Sequence, residues 1–163
     1  MFSDELLKSA EKTVEALKEK SLTVATAESC TGGLVSAALT TVSGVSSVFE
    51  LGITSYSCRI KNEILGVNHK TLETLGAISE ETAKQMAENI KEKADSDLGL
   101  SVTGVAGPKT SEGHPVGYIF IAVSGKLGTK VKLLELGPES RDTLRETAAI
   151  ELFDLANKYI KDI

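Results

Sequence analysis

The sequence predicts an α/β protein, a three-layer α/β/α sandwich on a mixed β-sheet. Two patterns carry that expectation. From Leu22 to Val102, short apolar runs alternate with stretches of helical periodicity, the order that favours parallel strands with helices packed on the sheet. Further on, the runs Val116–Ser124 and Lys130–Leu136 are separated only by Gly125-Lys126-Leu127-Gly128, too short a connection for anything but an antiparallel pair. The 163 residues are 41% hydrophobic and 25% charged, which suits one soluble domain with one substantial core. No repeat, low-complexity tract or linker divides residues 1–163.

Each element has a local reason. Asp4–Lys20 reads as an amphipathic helix, with Leu6, Leu7, Ala10, Val14 and Leu17 at helical spacing and Ser3 as N-cap. Leu22–Ala27 is a buried strand. Leu34–Val42 has few polar residues and reads as a helix with little exposure, ended by Ser43-Gly44. Phe49–Ser57 alternates as a strand, with Phe49, Leu51, Ile53 and Ser55 on one face. Helical pieces follow over Arg59–Leu65 and His69–Leu75. Ser79 begins a longer helix whose inner stripe is Ala83, Met86, Ala87, Ile90 and Ala94. Leu98–Val102 is an apolar strand. Ser140 caps a final long helix with Leu144, Ala148, Leu152, Leu155 and Tyr159 inward. Thr103–Gly117 has no periodicity; so long a loop inside a domain is usually functional or mobile.

Composition narrows the function. A formal net charge of −5 disfavours non-specific nucleic-acid binding. The N-terminus is acidic and amphipathic, unlike a signal peptide, and no apolar stretch reaches bilayer length. The expectation is a cytoplasmic protein without nucleic-acid or membrane partners. Two cysteines and two histidines are too few for a disulfide framework, and their spacing does not suggest a zinc site.

Four segments could carry chemistry. The first is Thr26-Ala27-Glu28-Ser29-Cys30-Thr31-Gly32-Gly33, a strand-to-helix turn. Ser29 there could be a nucleophile beneath an oxyanion hole of helix N-terminal N–H groups around Cys30, Thr31, Gly32 and Gly33. Alternatively, Ser29 and Thr31 merely cap the helix. The second is Tyr56-Ser57-Cys58-Arg59-Ile60-Lys61, where Tyr56 ends a strand and Lys61 lies in the next helix's first turn. Neither His69 nor His114 is well placed as a base. A lysine could serve, but lowering its pKa from about 10.4 to near 7 requires roughly 4 to 5 kcal/mol of differential interaction. Burial beside a cation such as Arg59 could supply it, and Tyr56 could relay the proton or orient the lysine. The plainer reading is an aromatic strand end and a solvated lysine. The third is Thr103-Gly104 and the glycine-rich loop beyond, placed where open α/β sheets bind ligands but lacking P-loop or dinucleotide spacing. The fourth is Arg141 with Arg145, on one helix face near the N-terminus, where the dipole disfavours cations unless an anion such as a phosphate joins them. Pairing with Glu139 or a neighbouring subunit's carboxylate would also serve.

Together these segments, with Gly52-x-x-x-Tyr56-Ser57-x-x-x-Lys61, Gly76-Ala77-Ile78-Ser79 and Thr103-Gly104-Val105-Ala106-Gly107-Pro108, resemble the CinA C-terminal domain family, the nicotinamide mononucleotide amidohydrolases. The likeness runs over nearly the whole chain. It implies a three-layer α/β/α fold and hydrolysis of the carboxamide of nicotinamide mononucleotide to nicotinate mononucleotide and ammonia. It implies Ser29 as nucleophile, Tyr56 and Lys61 as its activators, Thr103 as a site hydroxyl and Arg145, with Arg141, as phosphate anchors. No metal or redox cofactor is implied, and a homo-oligomer is expected. Two positions depart from the family pattern: Cys58 stands where Asn is usual, and Lys109-Thr110-Ser111-Glu112-Gly113 replaces a region that usually carries a Gly-Gly pair. They leave open an alternative, a catalytically weakened nucleotide-binding module of the same fold. The short lead before the motif suggests a free-standing form of the domain.

Overall fold

Five strands form one sheet in the computed structural model, which describes residues 2–163. They are β1 (Val24–Glu28), β2 (Phe49–Thr54), β3 (Leu98–Gly104), β4 (Tyr118–Gly125) and β5 (Gly128–Glu135), in the order β2-β1-β3-β4-β5. β1 runs parallel to both β2 and β3, while β3–β4 and β4–β5 are antiparallel. The expected mixed sheet is therefore formed. Lys126 and Leu127 alone turn the last hairpin, with Gly125 paired to Gly128 at its end.

Helices cover both faces. On one lie α1 (Asp4–Lys20), α2 (Leu34–Leu39) and α6 (Arg141–Asp162), packed on Leu98, Leu100, Val102, Ile119, Ile121 and Val123. On the other, α5 (Glu80–Ala94) packs on Ala25, Ala27 and Ala122, flanked by α3 (Cys58–Glu63) and α4 (His69–Leu75). The pleat sorts these contacts: alternate residues of β3 face opposite layers, so Ser101 and Thr103 meet α5 and the turn before it. Tyr159, fully buried near the end of α6, donates its hydroxyl to Gly128 O at 2.7 Å and so ties the last helix to the last turn.

The caps follow the expected residues. Ser3, Ser79 and Ser140 accept the N–H groups of Leu6, Thr82 and Thr143, and Ser57 caps α3. Several boundaries differ from the expected ones, as where β3 runs on to Gly104 and β5 begins at Gly128, and three of them have a plain physical reason. β1 starts at Val24 because Leu22 N–H returns to Leu17 O in the C-cap of α1. α2 ends at Leu39 because Thr40 and Thr41 turn their hydroxyls back to Ala37 O and Ala38 O. It is also only half-buried, with Leu34, Ser36 and Ala37 partly exposed. β2 ends at Thr54 because Ser55 to Ser57 leave the sheet to start α3.

Gly104 closes β3 beside the pocket described below. A Cβ there would sit 2.5 Å from Ile119 Cα and 2.6 Å from Tyr118 O, both backbone atoms of β4. Gly104→Ala is therefore expected to destabilise the protein by about 2 kcal/mol or more, read as a lower midpoint in urea.

Candidate active site

The turn leaving β1 is built around Glu28. Its side chain is 1% exposed and its carboxylate accepts five hydrogen bonds. Oε2 takes Thr31 Oγ1 at 2.6 Å and the N–H groups of Gly33 and Val35 at 3.0 Å. Oε1 takes Ser36 N–H at 2.8 Å and Ser36 Oγ at 2.7 Å. A buried carboxylate is costly unless fully paired, and the nearest unclaimed donors are those of the first turn of α2. The chain's own carboxylate thus occupies N–H groups that the sequence alone suggests are open.

This narrows the expected oxyanion hole. Gly33 N–H belongs to Glu28, and Gly32 N–H donates to Ser29 O at 3.1 Å. The N–H groups of Cys30 and Thr31 donate to no other residue among those described. Both glycines are still needed for the turn, with φ of 61° at Gly32 and 100° at Gly33. Glu28 has no role in the sequence-based site. The available signal was an acidic residue at the end of an apolar strand, just before a helix N-terminus.

Lys61 meets this turn. It lies in α3, yet its side chain points inward and is 1% exposed. Its Nζ is 2.8 Å from Ser29 Oγ, 2.6 Å from Ser55 O and 3.5 Å from Tyr56 O. Burial holds the Lys61 amine below its ordinary 10.5, opposed by Cys58 and Cys30 in their thiolate forms and by the Glu112 carboxylate. Arg59 does not contribute as expected, since it points outward to Glu63 and is largely exposed. Positions two apart on a helix face different directions, so Lys61 and Arg59 separate.

Tyr56 takes a different place from the expected relay. Its ring is 61% exposed at the mouth of the site, and its hydroxyl accepts from Arg141 Nη2 at 2.9 Å. Only its backbone carbonyl approaches Lys61. Arg141 also donates through Nη1 to Gly107 O, so one guanidinium spans the mouth. Arg145 does not line the cavity. Its Nη2 donates to Thr31 O at 2.8 Å and braces the Ser29 turn from behind. One helical turn separates the two arginines, and that rise takes Arg145 past the mouth. The arginine placed to meet a ligand is Arg141.

These groups surround a cavity of about 340 Å³ at the carboxyl ends of β1, β2 and β3, the usual ligand position in an open α/β sheet. Ser29, Cys30, Lys61, Thr103, Gly104 and Arg141 contribute to its wall. Thr103 Oγ1 donates to Ala77 O at 2.8 Å. Burial pushes the Cys30 thiol up to about 12, so it stays protonated beside Ser29; Cys58 is exposed, and both thiols are free. His69 sits beside Glu73 on α4, His114 stacks on Tyr118, and neither lines the cavity.

The divergent loop forms a tight hairpin. Ser111 and His114 pair, while Glu112 and Gly113 turn the chain with φ of 51° and 78°. Glu112 Oε1 accepts Ala77 N–H at 3.1 Å and Oε2 accepts Ile78 N–H at 3.0 Å. Lys109, Ser111 and Glu112 thereby join the cavity lining.

Comparison with known proteins agrees with this architecture. A family model described as the CinA C-terminal domain matches residues 6–160. A competence-damage inducible protein of Acetivibrio thermocellus is 46% identical over 145 residues, covering 88% of this chain and 35% of that protein. One of Caldanaerobacter subterraneus is 44% identical over 152 residues, covering 93% and 37%. The chain thus spans about a third of the length of these curated relatives. Among solved structures, the competence/damage inducible protein CihA of Agrobacterium tumefaciens superposes with a TM-score of 0.93 at 31% identity, covering 99% of this chain and 98% of that one. A CinA superfamily protein of Escherichia coli gives 0.89 at 28%, covering 98% and 93%.

Proposed function

We propose that this chain, which belongs to the CinA C-terminal domain family, is a serine amidohydrolase that converts nicotinamide mononucleotide to nicotinate mononucleotide and ammonia. The observation that carries this reading is the buried Lys61 amine 2.8 Å from Ser29 Oγ inside the cavity. A neutral lysine has two N–H donors and one lone pair. The two carbonyls beside Nζ, those of Ser55 and Tyr56, can only accept. The lone pair is then left for the Ser29 hydroxyl, the arrangement that activates a serine without histidine.

The chemistry follows from these positions. Ser29 Oγ attacks the carboxamide carbon as its proton passes to Lys61. The negative charge on the carbonyl oxygen falls to the N–H groups of Cys30 and Thr31, which donate to no other residue among those described. Lys61 returns the proton to nitrogen, ammonia leaves and Ser29 holds an acyl ester. Water then attacks that ester with Lys61 as base, releasing the carboxylate and restoring the hydroxyl. Arg141 and Lys109 offer cations to the phosphate at the mouth. Oligomerisation, and transfer of this activity to the longer relatives, belong to the same proposal. An assay of ammonia release with nicotinamide mononucleotide, beside free nicotinamide, tests it. Ammonia and nicotinate mononucleotide in equal amounts are expected, with the free amide much poorer; no release from the nucleotide would remove the assignment.

A further inference from the structure

The cavity that holds Ser29 has an uneven charge layout. Glu112 is the only carboxylate-bearing residue in its lining among the described residues. Lys109 and Arg141 stand in the same wall, with Arg141 across the mouth between Tyr56 and Gly107. Glu112 is not placed by chance of rotamer. It turns a two-residue hairpin, and both carboxylate oxygens are held by successive N–H groups, those of Ala77 and Ile78. Thr103 grips the same Ala77 peptide from its carbonyl side. A Cβ on Gly76 would fall 2.4 Å from Glu112 Oε2, so glycine there is what lets the carboxylate seat.

A cavity of 340 Å³ is roughly 9 Å across if compact, about one screening length at physiological salt, so Glu112 acts on any charge inside it. A substrate whose carboxamide lies at Ser29 must place its ring between that residue and the walls. In nicotinamide mononucleotide the ring nitrogen is a permanent cation and the phosphate an anion. Resting on the amidohydrolase reading, we propose that Glu112 is a specificity-determining residue that selects a cationic pyridinium ring over a neutral one, while Lys109 and Arg141 take the anionic end. The substrate class is then a charge-separated pyridinium nucleotide, not any nucleotide bearing a carboxamide. The negative charge of Glu112 also opposes the loss of the proton from Lys61; Arg141 and the Tyr56 hydroxyl lie at the mouth.

The test is binding, measured by calorimetry in a Ser29→Ala background so that turnover does not intrude. The two ligands are nicotinamide mononucleotide and its reduced dihydro form, which share carboxamide, ribose and phosphate and differ in ring charge. The oxidised form is expected to bind about five- to tenfold more tightly, the scale for a partly exposed charge pair. Adding Glu112→Gln should bring that ratio close to one. Adding Glu112→Asp, which keeps the charge but shortens the reach to Ala77 and Ile78, should retain most of it. A ratio unchanged by Glu112→Gln, no preference in the background protein, or no binding of either ligand would overturn the proposal. Ammonia release by the wild type is a separate measurement: its absence with the ratio intact would remove the amidohydrolase reading and leave the charge selection standing.

Discussion

Lys61→Met is expected to lower ammonia release from nicotinamide mononucleotide by roughly 10²- to 10⁴-fold, the range for loss of a general base, while leaving the protein no less stable at pH 7. Methionine has similar length and suits a site that is 1% exposed. It leaves Ser55 O without its donor but also removes the cost of burying an amine. The pH dependence gives the sign. The folded pKa of Lys61 is lowered by burial, so between that value and the ordinary 10.5 the unfolded chain binds more protons than the folded one. Wild-type stability relative to Lys61→Met should therefore rise with pH through that window. Activity should move in the same direction, falling as pH drops through the folded pKa and the base becomes an ammonium. Denaturant melts and kcat/KM across the same pH series check both. A Met variant with near wild-type turnover would remove Lys61 from the mechanism.

Glu28→Gln is expected to be the most damaging of the near-isosteric changes. Five donors point at the carboxylate of Glu28. A glutamine offers one acceptor oxygen and turns an NH₂ group toward donors that it cannot satisfy. Breaking a buried, fully paired charge of this kind costs about 3 kcal/mol or more. The loss falls on the segment that aims Ser29 and carries the Cys30 and Thr31 N–H groups, so kcat should fall more than KM rises. Thermal melts with steady-state kinetics below the variant's melting range separate the two effects. Wild-type stability in Glu28→Gln would contradict the ledger of bonds around that carboxylate.

Much of the architecture was legible because local rules decide it. The spacing of Leu6, Ala10, Val14 and Leu17 marks α1 to its ends, and the short Gly125–Gly128 connection makes β4 and β5 antiparallel. The meeting of Ser29 and Lys61 was also legible in outline. A residue just beyond a parallel strand and one in the first turn of a helix after the neighbouring strand share one end of the sheet. The rest depends on placement in three dimensions. Arg141 and Arg145 share a face in sequence terms, but which one reaches the cavity is decided by how far α6 begins from its mouth. Tyr56 marks a strand end, yet its hydroxyl goes to Arg141 because β2 stops at Thr54 and the chain swings outward. Glu112 sits in a stretch without periodicity, and only the hairpin brings it to residues 77 and 78.

The central claim is that Ser29 is the nucleophile, and the direct measurement is ammonia release from nicotinamide mononucleotide by Ser29→Ala beside the wild type. The side chain is nearly buried and loses only one oxygen atom, so the variant should fold like the parent. Turnover by the wild type with none above the uncatalysed background in Ser29→Ala is the expected result. Ammonia release by Ser29→Ala at a rate near that of the wild type would contradict it.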